Sequence, residues 1–184
     1  YWKEMNGIMW KSSKPVKMEV DDPSAINTKT LVLASGNETE FYDSESDTWQ
    51  KASICQMGND WRGIKGGQWI WVRDTVTKEE AITGTKKKLR LKFNLPSESA
   101  DSIRTAEMLL RSEDVCHISV NDVRLLQEYG GAEYPDPFLI DIDQYVQVGD
   151  NTITFELVSY AKPDAKVPED NLVGLIYRLH VEYS

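Results

Sequence analysis

The sequence predicts an all-β protein built as an antiparallel sandwich, and three observations carry that expectation. Apolar residues recur at every second position through most of the chain, the runs that do so are short, and clusters of Gly, Ser, Asp and Asn separate them. Helical content is expected near nil, which leaves a sandwich or a barrel, and the sandwich is preferred.

In chain order, "TLVLAS" at 30–35 is a strand, "DSESD" at 43–47 a loop, "CQMGNDWRGIKGG" at 55–67 a loop, and "QWIWV" at 68–72 a strand. "KLRLKFNL" puts Leu89, Leu91, Phe93 and Leu95 on one face and Arg90, Lys92 and Asn94 on the other, as a strand wet on one side requires. "RTAEMLLRS" follows with Ala106, Met108 and Leu110 inward. "VCHISVNDVRLLQ" reads as a hairpin, with Cys116, Ile118 and Val120 alternating against His117 and Ser119, and with Asn121 and Asp122 suited to a tight primed turn. "FLIDI", "NTITFELVSY" and "LVGLIYRLHVEY" complete the set, the last presenting Leu175, Tyr177, Leu179, Val181 and Tyr183 to one side.

Composition excludes several functions. The 184 residues are 40% hydrophobic and 28% charged, enough for one domain with a sizeable core. A formal net charge of −9 repels phosphate, against a nucleic-acid or anionic-membrane partner. No apolar run approaches the roughly 20 residues of a membrane span, so membrane insertion is not expected. The opening "YWKEMNGIMWKSSK" lacks the order of a signal peptide and starts without Met, so the chain is expected to be a piece of a larger multidomain protein or assembly. "KKKLR" at 86–90, the basic run, reads as a solvated strand entrance. Cys55 and Cys116 lack the spacing of a zinc site and are expected as buried free thiols, one disulfide remaining the alternative. "NET" at Asn37 fits a glycosylation acceptor, of consequence only on the secretory route.

The phrases from residue 31 to 183 resemble the galactose-binding-like jelly roll, as found in accessory domains of glycoside hydrolases. They run from "TLVLASGNETEFYDSESDTWQKA" through "GGQWIWV", "FNLP", "AEMLLRSEDVCHISVNDVRL" and "FLIDIDQYVQVGDNTITFELVSY" to "GLIYRLHVEY". Asp122 stands where such hairpin tips have glycine. The resemblance implies a galactose-binding-like antiparallel jelly-roll β-sandwich at 31–184, with 1–30 as an N-terminal extension or edge segment packed on it. The superfold serves too many purposes to imply one function. Modules of this class often hold a structural calcium, for which Asp43, Glu45 and Asp47 are the candidate metal ligands, although their run lacks the glycine and terminal acid of a calcium loop. No other cofactor is expected.

Catalytic motifs are thin. His117 and His180 fall on the polar parity of their strands, no GxSxG accompanies them, no carboxylate pair is singled out, and "GIKGG" precedes a strand rather than a helix. A non-catalytic protein is expected.

Alternating strand directions gather certain loops at one end. If 104–111 runs up, then 112–114, 128–137 and the loop "SYAKPDAKVPEDN" share the top, together with 73–87. Those loops carry Tyr129, Tyr134, Asp136, Tyr160, Lys162 and Asp164, a mix of rings and charged groups suited to the apolar face and hydroxyls of a sugar. Trp69 and Trp71 share a strand side, and at least one is expected in the core, while Trp71 is also a ligand-binding candidate because it adjoins the top loops. Two readings stand. One is a carbohydrate-binding or adhesion domain, with a glycan partner outside the cell or at its surface. The other is a protein-protein interaction scaffold with a protein partner in the cytoplasm. The resemblance favours the first.

Overall fold

The computed structural model describes residues 2–5, 8–11, 28–55, 63–96, 103–130 and 136–184. Strands β1 (Trp2–Met5) and β2 (Ile8–Lys11) pair as a two-stranded sheet of their own. The remaining strands form an all-β antiparallel sandwich. They are β3 (Lys29–Ala34), β4 (Glu40–Asp43), β5 (Thr48–Lys51), β6 (Ser53–Ile54), β7 (Ile70–Trp71), β8 (Thr85–Leu95) and β9 (Ile103–Glu113). After them come β10 (Val115–Val120), β11 (Val123–Gly130), β12 (Phe138–Asp141), β13 (Gly149–Ser159) and β14 (Gly174–Tyr183).

One six-membered sheet has the order β11-β10-β13-β8-β4-β5. The second has β12-β9-β14-β7-β6, with β3 also paired to β14. From β8 onward the chain changes sheet at every connection except the β10–β11 hairpin, which is the jelly-roll wrapping.

Period-two patterning sets which face meets which. Leu89, Leu91, Phe93 and Leu95 of β8 are buried while Lys92 and Asn94 are exposed, and Ile153, Phe155 and Leu157 of β13 continue the same inner surface. Opposite them stand Ala106, Met108 and Leu110 of β9 and Leu175, Tyr177, Leu179 and Val181 of β14. Phe155 and Tyr177 stack across the gap at 5.0 Å, and the Tyr177 hydroxyl shares a 2.7 Å hydrogen bond with buried Thr39. That bond satisfies a polar atom that burial would otherwise penalise.

The primed turn is present. Asn121 and Asp122 both take positive φ, 48° and 66°, and Asp122 therefore serves where glycine is more usual. The Asn121 amide also donates to the Tyr145 carbonyl and to Asn151 Oδ1, both at 2.9 Å, tying the hairpin tip to the turn before β13.

Two local features differ from the sequence expectation, and a third, the expected loop "DSESD", gains a definite setting. Within the stretch 73–87 lies a helix, α1 (Lys78–Thr83), closed by a capping box in which the Glu80 N–H donates to Thr77 Oγ1 and the Thr77 N–H donates to Glu80 Oε2. "DSESD" is the tip of a hairpin whose arms are β4 and β5. The strand in "QWIWV" shrinks to Ile70–Trp71, covered on both faces, and Trp69 is half-buried beside the core. Trp71 fulfils the core expectation. Both cysteines are free and buried.

Candidate functional site

The outer face of the β11-β10-β13-β8-β4-β5 sheet is made by the polar parity of its strands. Register places Lys88, Glu156, His117 and Glu128 in one row across β8, β13, β10 and β11. A second row holds Lys86, Val158 and Val115. On the β4–β5 hairpin Tyr42 faces Trp49, their rings 5.5 Å apart. Arg90 covers the Trp49 ring at 3.9 Å and its Nε donates to Glu40 at 2.6 Å.

Over these rows opens a cleft of about 710 Å³. The hairpin supplies Tyr42, Asp43 and Glu45 to its wall, β8 supplies Lys86, Lys87 and Lys88, and β13 supplies Glu156 and Val158. His117, Arg124 and Arg73 complete the charged lining. Such a concave polar surface with an aromatic wall is the general form of a small-molecule or glycan subsite.

Glu80 sets the charge at its loop end. Its carboxylate accepts from Arg73 at 2.7 and 3.1 Å and pairs with Lys87 at 2.7 Å. Burial pushes this carboxyl up, but the Arg73 and Lys87 bonds outweigh burial and hold it down to about 2. A depressed folded value means a stabilisation present above the ordinary value of 4.5 and lost as pH falls through 4.5 toward 2. Between pH 5 and 2 the protein should therefore lose about 1 to 3 kcal/mol more stability than its Glu80→Gln variant. Urea unfolding of both at several pH values checks this, and parallel curves would refute the clamp.

Among the described residues, the parts of the expected top loops near Ala81, Asp114 and 160–171 do meet at one end. The Tyr160 N–H donates to Asp114 Oδ2 at 2.7 Å, the Lys162 N–H to the Ala81 carbonyl at 2.9 Å, and the Asn171 amide to Ala81 and Tyr160 carbonyls. The individual candidates separate. Tyr129 is 7% exposed and packs edge-on against Phe138, and Trp71 is 0% exposed, so neither offers a ring to a ligand. β11 and β7 turn these side chains into the sandwich. Tyr160 is 59% exposed, two residues beyond Val158 of the cleft. Lys162 Nζ donates to the Asp170 carbonyl, and Asp136 and Asp164 are exposed. Tyr134 lies outside the described residues.

The three candidate metal ligands build a turn instead. Asp43 accepts from the Glu45 N–H, the Ser46 hydroxyl and the Gln50 amide at 2.7 to 3.1 Å, and Asp47 accepts from the Tyr42 hydroxyl. Among the described residues no group of three His, Cys, Asp or Glu is arranged to hold a metal ion. Asp43 and Glu45 do line the cleft.

Chemically the site offers a set of charged and aromatic contacts. Burial pushes the Cys55 thiol up to about 12 and raises Cys116 also, which disfavours the thiolate of each. Asp43 is lowered, mainly by the Ser46 hydroxyl, the wrong direction for a general acid. Sequence reasoning missed Tyr42, Lys86, Lys88, Arg124 and Glu156. Their outward parity is readable, but their convergence depends on strand pairing that no local pattern reports.

Neither a family model nor a curated protein matches this sequence. Among solved structures it is similar to an FMN-binding β-glucuronidase of Facaelibacterium prausnitzii, at 15% identity and a TM-score of 0.48, over 83% of this chain and 23% of that one. A protein assigned as a β-galactosidase of Bacteroides fragilis gives the same values. A family 35 carbohydrate-binding module of Clostridium thermocellum is similar at 16% identity and a TM-score of 0.43, over 82% of this chain and 97% of that one. The chain thus spans about a quarter of the length of either enzyme.

Proposed function

We propose that this chain is a non-catalytic binding module that holds a glycan in the cleft on the outer face of the six-stranded sheet. The observation that carries the reading is the cleft itself, an open surface of about 710 Å³ in which hydroxyl-binding charged groups from four strands face an aromatic wall at Tyr42. Most of the polar groups there are fixed on strands, with Glu45 and Arg73 supplied from turns, so little order is lost when a ligand seats. The reading makes the chain one domain of a larger protein that meets its ligand outside the cell or at its surface.

A glycan array probed with the chain tests it. Tyr42→Ala should then weaken binding of any retained glycan by about 1 to 3 kcal/mol, with the melting temperature little changed. A blank array, or binding indifferent to Tyr42→Ala, would refute the reading.

A protein partner is favoured by a different surface. Leu126 is fully exposed and Val123 half-exposed on β11, the edge strand of the same sheet. A partner captured by the wild type and lost on Leu126→Asp, with a blank array, would replace the glycan by a protein.

A further inference from the structure

We infer that the cleft selects an anionic glycan, one bearing carboxylate or sulfate groups, seated over Lys86 and Lys88; the inference rests on the glycan-binding reading above. The protein as a whole is acidic, with a formal net charge of −9. The cleft lining reverses that balance, since Arg73, Lys86, Lys87, Lys88 and Arg124 outnumber Asp43, Glu45 and Glu156. That local excess of cations attracts an incoming anion.

The ion pairs decide which cations are left for that anion. Arg73 and Lys87 are both taken by Glu80, and Arg124 by Glu156 at 3.1 Å. Lys86 and Lys88 have no ion pair among the described residues. Both sit on the outward parity of β8, exposed, two residues apart and so about 7 Å along one strand. Their ammonium groups face the same side as Tyr42, so one saccharide unit can lie against the ring while its anionic group reaches a lysine. Glu156, opposite Lys88, is held back toward Arg124 and leaves that ammonium open.

Isothermal titration with four soluble polysaccharides tests the inference: polygalacturonate, carrageenan (a galactan that carries sulfate and no carboxylate), and neutral galactan and arabinoxylan. At low salt an acidic polysaccharide should bind and the neutral ones should bind at least about tenfold more weakly. Comparing the first two separates carboxylate from sulfate as the source of charge. Lys86→Ala and Lys88→Ala should each weaken binding about 2- to 5-fold, and binding should fall steeply between 20 mM and about 300 mM salt. Lys92→Ala, on the same strand face but outside the cleft, should leave it unchanged. Binding of neutral polysaccharides alone, or acidic binding indifferent to Lys86 and Lys88, would overturn this inference and leave the glycan-binding module standing. Binding of none would overturn both.

Discussion

Trp71→Ala is expected to cost about 3 to 5 kcal/mol of folding free energy. The side chain is among the largest fully buried of the described residues, and it sits on the short strand β7, between β14 and the edge strand β6. Its neighbours are held by strand pairing, Ser53 opposite Trp71 and Leu175 opposite Ile70, so they cannot collapse into the space an alanine leaves. Phe93→Ala and Leu179→Ala, which empty the middle of the sandwich, should cost about 2 to 5 kcal/mol, whereas Lys92→Ala should cost almost nothing. Chemical denaturation of the four variants checks the ranking. A silent Trp71→Ala would mean that the ring is not a core group.

Gly130→Ala is the second large effect, expected at about 3 kcal/mol or more. Gly130 ends β11 at φ +127°, a conformation that L side chains rarely adopt, and an added Cβ would stand 2.2 Å from the Asp114 carbonyl oxygen and 2.4 Å from Ser112 Oγ. Ser112 in turn donates to the Tyr129 carbonyl, so relief of the clash would have to break that bond or move the β9–β10 connection. Gly149→Ala separates the two causes. It has φ +88° with nothing near its added Cβ, so only the backbone term of about 1 to 2 kcal/mol applies. Equal losses at both positions would show that contact at Gly130 does not matter.

Much of the sandwich was legible because burial on one face imposes a period of two. β8, β10 and β13 show it throughout, β9 and β14 over most of their length, and the residues expected inside are inside. The Asn121-Asp122 turn was legible because few residue pairs accept two positive φ values in succession. Some short elements were not, although the four residues of β12 were. β4 and β5 are four residues each, too short for alternation to stand out beside the acids of their turn. Helix α1 offers a single buried residue, Ala81, so it has almost no apolar face, and its one available signal was the Thr77–Glu80 capping box.

The candidate site was legible only in part. Strand direction brought the described parts of the top loops to one end, because the strands that flank them pair antiparallel. Exposure of a particular ring was not readable, since Tyr129 and Tyr160 sit in similar sequence surroundings and one is buried by the parity of β11. "KKKLR" reads as a solvated strand entrance, yet Lys86 and Lys88 line the cleft because β4 and β13 lie on either side of β8. That adjacency joins residues about 50 and 70 positions away and leaves no trace in a local window.

Whether the ligand lies on the sheet face or in the loops is the central question, and backbone amide shifts during titration with the array-selected oligosaccharide answer it directly. The sheet-face site predicts the largest changes at Tyr42, Lys86, Lys88, His117 and Glu156, with Asp136, Lys162 and Asp164 nearly still. Changes confined to Asp136, Tyr160, Lys162 and Asp164, with the strands unmoved, would place the ligand in the loops and contradict the account.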